Sequence, residues 1–167
     1  MPLSLNYRFI LIVAVISAVA TAVLGLALVH TIWYNYEMIP LFGRNSVSSY
    51  LTSASMIFSF IITFMVTKAT RKATRSQQIF PLHWHLKSQT LIDQLPRQTI
   101  LRAFILGIVG ALMSGLTIAL LYFKDFTSFY FYQLAAFTTV YFVLLASAMA
   151  IMTAYRSMGD DVLKQVR

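Results

Sequence analysis

The sequence predicts an all-α fold, an integral membrane four-helix bundle made of two helical hairpins joined by a basic loop. Three observations predict it. Hydrophobic residues make up 59% of the 167 and charged residues only 11%, with a mean hydropathy of +0.74; a soluble domain carries about 25% charged residues. Four charge-poor apolar runs each approach the roughly 20 residues that cross about 30 Å of hydrocarbon. Between the second and third runs lie Lys68, Arg71, Lys72, Arg75, Lys87, Arg97 and Arg102, against Asp93 as the single acid. The chain therefore reads as one transmembrane domain, 1–167, with spans near 9–29, 50–67, 103–123 and 132–153 and a cytoplasmic loop at 68–102.

The first span, 9–29, has no charged residue. Ala18-Val19-Ala20 fits a leader-cleavage pattern, but the apolar run exceeds the 7–15 residues of a leader core. Ala14, Ala18 and Ala22 recur every fourth residue. Apolar burial gives helices little reason to associate inside lipid, so close approach through small residues supplies the contact. The connection that follows carries Trp33, Tyr34, Tyr36 and Phe42, which suit a headgroup belt, and Pro40 and Gly43, which stop a helix.

The second span, 50–67, is the least apolar. Ser55, Ser59, Thr63 and Thr67 fall on one helical face. The expected role is structural, with hydroxyls bonding the preceding turn or a neighbouring helix. The alternative is a polar path for a solute. Beyond Thr67 the helix can continue through Lys68–Arg75 until Pro81 ends it.

The third span, 103–123, is the clearest, and Gly107, Ala111, Gly115 and Ala119 form its small-residue row. A close helix neighbour is expected along that row, within the chain or across an oligomer. A short turn leads to the aromatic run Phe129-Tyr130-Phe131-Tyr132 and the fourth span, 132–153, whose packing face is marked near its end by Ala146, Ala150 and Ala154.

Four spans put both termini and the basic loop on one side. Eleven of the thirteen Lys and Arg lie there; Arg44 and Lys124 lie on the other. The excess belongs on the cytoplasmic side, so both termini are expected in the cytoplasm, in a bacterial inner membrane, with the basic residues meeting anionic lipid headgroups. The net charge of +8 is accounted for in this way, and no nucleic-acid motif accompanies it.

The halves resemble each other. Arg8 and Arg102 each precede a small-residue-rich helix, and Ala69-Thr70-Arg71 and Ala154-Tyr155-Arg156 close the two hairpins. Two spans per unit would make the repeats parallel. The half from Leu95-Pro96-Arg97 through Met113-Ser114-Gly115 resembles small bacterial two-helix membrane proteins of unknown function, a likeness that implies no activity.

Chemistry is sparsely provided for. There is no cysteine, which removes disulfides, thiolate metal sites and thiol catalysis. All charged side chains fall outside the four spans, against a buried proton relay or voltage sensor. No histidine sits in a span core to hold haem, and no cofactor is expected. His83 and His85 are weak candidates for a metal, short of the three or four ligands that zinc requires. With Asp93 they are also the candidates for a membrane-surface enzyme, as are His30 and Glu37 on the other side. The expected role is an accessory, scaffold or assembly subunit that works through helix packing, with a second copy or a membrane protein as partner. A small oligomeric transporter with a Ser/Thr-lined path and a surface enzyme are the alternatives.

Overall fold

The computed structural model describes residues 4–80 and 95–160. It is all-α apart from one pair of short strands: α1 Leu5–Trp33, β1 Met38–Pro40, α2 Val47–Arg75, α3 Thr99–Phe123, β2 Ser128–Tyr130 and α4 Phe131–Met158. Each helix is long and apolar enough to cross a membrane. Each also outruns its apolar stretch. α2 continues through the basic residues to Arg75, α3 takes in Arg102, and α4 takes in Arg156. A 29-residue helix such as α2 is about 43 Å long at 1.5 Å per residue, more than hydrocarbon alone requires.

The helices do not pack as consecutive hairpins. α1 lies along α4, α3 lies along α2, and α2 meets α4 between them; α1 and α2 touch at only a few places, and α3 does not pack along α4. Polarity explains why α2 is central. Its most apolar window is the least hydropathic of the four, at 1.6, and the most buried, at 56%, against 28% for α1 and α3. Hydroxyls are better placed against protein than against lipid tails, while the Leu- and Ile-rich faces of α1 and α3 turn outward.

At one end the two inter-helix connections are clasped together. β1 and β2 pair antiparallel, Met38 with Tyr130, Ile39 with Phe129 and Pro40 with Ser128. Leu41 N–H extends the ladder to the Thr127 carbonyl at 2.8 Å. Ile39 and Phe129 alone point inward, following the period-two alternation of a strand. Trp33, expected in a headgroup belt, is instead 2% exposed; it donates to the Asn45 carbonyl and packs edge-on to Tyr50. Tyr34, Tyr36 and Phe42 remain exposed. Below this clasp, Tyr50 donates to the Gly25 carbonyl at 2.9 Å and ties α2 to α1. Tyr50→Phe is expected to cost about 0.5–1.5 kcal/mol, read as a fall in thermal unfolding temperature in detergent.

The opposite end holds the start of α1 and the end of α4 and is called the terminal end here. There the Asn6 side chain donates to the Phe80 carbonyl and accepts from Phe80 N–H, at 3.0 and 2.9 Å. This brings the segment after α2 back onto α1.

Candidate functional site: an arginine–aspartate node beside a hydroxyl seam

Three guanidinium groups converge on one carboxylate at the terminal end. Arg102 of α3 donates through Nη2 to both oxygens of Asp160, at 2.7 and 2.9 Å. Arg156 of α4 reaches Asp160 Oδ1 at 3.0 Å, and Arg71 of α2 reaches Oδ2 at 2.9 Å. The arginines also fasten the chain that leads into α3. Arg102 Nε donates to the Pro96 carbonyl at 3.0 Å, Arg156 grips the Leu95 carbonyl from two nitrogens, and Arg71 bonds the Arg97 carbonyl and Thr99 Oγ1. Ser157 Oγ accepts from Arg102 at 2.7 Å.

Local sequence places each group. Gly159 follows the last turn of α4 as its cap, and Asp160 N–H bonds the Ser157 carbonyl, so the carboxylate turns back under the bundle, four residues from Arg156. Pro96 disfavours a helical conformation at Leu95, and Gln98 caps α3 in an extended conformation, so the carbonyls of Leu95, Pro96 and Arg97 face the arginines. Arg102 is fully buried, Arg156 is 8% exposed and Asp160 6%, whereas the Arg71 side chain is 27% exposed. Arginine suits such a node, since its planar fork fills several acceptors at once without losing its charge.

The hydroxyl face of α2 descends toward this end. Ser55, Ser59, Thr63, Thr67 and Thr70 are all fully buried. Ser55 bonds the Leu51 carbonyl and the Tyr141 hydroxyl. Among the described residues, the hydroxyls of Ser59, Thr63, Thr67, Thr70 and Thr153 find no hydrogen-bonding partner within the protein. The seam is closely packed against α3. A methyl group built on Gly110 would collide with Ser59 Oγ and approach the Ser55 carbonyl to 2.7 Å, and one on Gly107 would come within 3.3 Å of the Met56 carbonyl.

The structure splits the predicted small-residue row of α3. Gly107 is buried, Ala111 and Ala119 are half-buried, and Gly115 is exposed with nothing within 4 Å of a built Cβ. The row that meets α2 is Ala103, Gly107, Gly110 and Ser114. Among the described residues no helix lies against Gly115, because the buried stripe advances by three residues at 107–110 and leaves the strict every-fourth line. Of the α1 row, Ala14 and Ala18 are buried and Ala22 half-buried. On α4, Ala146, Ala150 and Ala154 are all buried. His83, His85 and Asp93 lie outside the described residues. His30 stands at the clasp end of α1, beside Tyr34 and Phe131 and bordering an apolar groove of about 420 Å³.

Sequence reasoning missed the node. It reads Arg71, Arg102 and Arg156 as orienting charges and as markers of the repeat, not as partners of one another. The available signal was a basic residue, Arg102, within the first turn of the strongly apolar third helix together with an acid, Asp160, immediately after the fourth.

Fold and node define an all-α protein whose four helices are long and apolar enough to span a membrane, braced by an ionic cluster at one end and a two-stranded clasp at the other. Comparison with protein families, with curated proteins and with solved structures finds no significant match for this chain.

Proposed function

We propose that this is an integral membrane protein of a bacterial inner membrane that serves as an accessory, scaffold or assembly subunit through its outer helix faces. The supporting observation is the seam, where Ser59 abuts Gly110 at contact distance and the buried surfaces of α2, α3 and α4 are occupied by side chains. A bundle braced at both ends suits a fixed mount. α1 and α3 present broad apolar faces, including Ala111 and Gly115 on α3, to lipid, to a second copy or to a partner. Extraction in mild detergent, affinity capture and mass measurement test this reading. A stoichiometric oligomer or hetero-complex is the expected result, and a solitary monomer at native expression would sink it.

The terminal end is assigned to the cytoplasm by the eleven-to-two distribution of Lys and Arg. A cysteine replacing Glu37 should react with an impermeant reagent added outside whole cells, and one replacing Arg75 should react only after lysis. Reversed labelling would overturn the orientation.

A duplication is also proposed. Its support is that α1 packs on α4 as α3 packs on α2, with the two strands paired between them. A duplication would relate the halves by a two-fold axis along the bundle, and such an axis would set the two strands antiparallel, as they are. Buried positions correspond in order, Leu51 with Thr138, Ser55 with Phe142, Ile62 with Met149, Thr67 with Ala154 and Thr70 with Ser157, a register two residues away from the one that matches Ala69-Thr70-Arg71 with Ala154-Tyr155-Arg156.

A transporter is the second reading, favoured by the buried hydroxyls that lack a protein partner. The double variant Ser59→Ala/Thr63→Val separates the two. The scaffold reading expects a stability change within about 1 kcal/mol, since neither hydroxyl bonds a protein group among the described residues, and unchanged assembly. Loss of a reconstituted flux at unchanged stability would favour transport.

A further inference from the structure

α2 runs about two turns past its apolar stretch, and those turns carry Lys68, Arg71, Lys72 and Arg75. Spacings of three and four residues put them on one helix face. Lys68, Lys72 and Arg75 are exposed, as is nearby Arg97, whose carbonyl Arg71 binds. Arg71 is therefore the member of the buried node that opens onto a basic surface.

The charge balance of the node is uneven. Among the described residues, three guanidinium groups share the single carboxylate of Asp160, and both of its oxygens are engaged. One negative charge offsets one of three positive ones. The surplus lies beside fully buried Arg102, where the surroundings screen it poorly. An anion brought to the exposed edge of Arg71 would halve that surplus, from two positive charges to one.

A phosphodiester has the chemistry for this, with one negative charge and oxygens that a guanidinium fork can meet in pairs. In a bilayer such groups are held at the level where a spanning helix leaves the hydrocarbon, which is where Lys68–Arg75 lies. Lys68 already extends over the Phe64 ring at 4.2 Å, so its ammonium is held at the border between apolar and charged surface.

We infer that Arg71, flanked by Lys68, Lys72 and Arg75, forms a binding site for the phosphate of an anionic phospholipid, seated on the Asp160 node. The inference rests on the membrane-spanning reading and goes beyond a general attraction to headgroups, because it names one guanidinium as the centre.

The test uses the full chain in bilayers of equal phosphatidylglycerol and phosphatidylcholine, with retained lipids counted by native mass spectrometry. Preferential retention of phosphatidylglycerol is expected. Removing one charge with Arg71→Gln should lower it about fivefold, the factor for one basic residue near an anionic surface. Should Arg71→Gln fail to fold, the exposed triple variant Lys68→Gln/Lys72→Gln/Arg75→Gln takes its place. It should unfold at the wild-type temperature in phosphatidylcholine and still lose the preference. Equal retention of the two lipids by the wild type overturns the inference, as does a folded Arg71→Gln variant that keeps the preference or, where that variant does not fold, a folded triple variant that keeps it. So does inorganic phosphate displacing the lipid completely, which would make this a free-anion site. A chain that sediments apart from membranes would sink the membrane-spanning reading instead, which is a separate failure.

Discussion

Asp160→Ala is expected to destabilise the fold by about 3–5 kcal/mol, the cost of removing one partner from a buried ionic group. The size follows from what is left behind. Arg102 is fully buried and Arg156 nearly so. Without the carboxylate, three guanidinium groups from three helices would repel one another around a space that water reaches poorly. Asp160→Asn retains an acceptor and the volume but not the charge, and should fall between wild type and Ala. Thermal or denaturant unfolding in a fixed detergent measures both. A loss below about 1 kcal/mol, the value of an exposed pair, would mean that the node is open to solvent.

The second large effect is expected at Gly110. Here even Ala is too large. Its Cβ would strike Ser59 Oγ and press on the Ser55 carbonyl, and a helix backbone cannot yield as a side-chain tip can. Gly110→Leu should drive α3 from α2 at a cost of at least about 1–3 kcal/mol, the usual penalty for overpacking. Gly115→Leu is the control. Nothing lies within 4 Å of that position, so unfolding should change by no more than about 0.5 kcal/mol. A change in oligomeric mass in the Gly115 variant would place a partner on the outer face of α3. Equal losses at the two glycines would mean that the helix is rotated from the orientation described.

The four helices were legible because 20-residue apolar runs leave few alternatives in a chain this poor in charge. The small-residue signal was legible in kind but not in register. Ala14 and Ala18 are buried, yet the line through Gly107 turned off at Gly110 rather than Ala111, since a stripe at 3.6 residues per turn drifts from any fixed spacing of four. Neighbour relations were not legible. Hydropathy says which residues avoid water but not which helix faces which, and the pairing of α1 with α4 rests on the shapes of Gly25 and Phe142 as much as on composition. The clasp was hidden for a different reason. Three-residue strands such as Met38–Pro40 are too short to show periodicity, and one contains a proline. The node was hidden because its partners, Arg71 and Asp160, lie 89 residues apart.

The interleaved order of the helices has a consequence for synthesis. Helices leave the ribosome in the sequence α1, α2, α3, α4, yet α1 has its main surface of contact on α4. After three helices have entered the bilayer, only α2 and α3 can form their mature interface, and α1 must wait nearby, held by little more than the Tyr50–Gly25 bond and the Asn6–Phe80 pair. The stretch from Ser128 to Asp160 then supplies three things in quick succession: the second strand of the clasp, the helix that α1 needs, and Asp160. Chains truncated before Asp160 would hold Arg71 and Arg102 without the carboxylate on which both converge, so the α2–α3 pair completes its terminal end only when α4 has arrived.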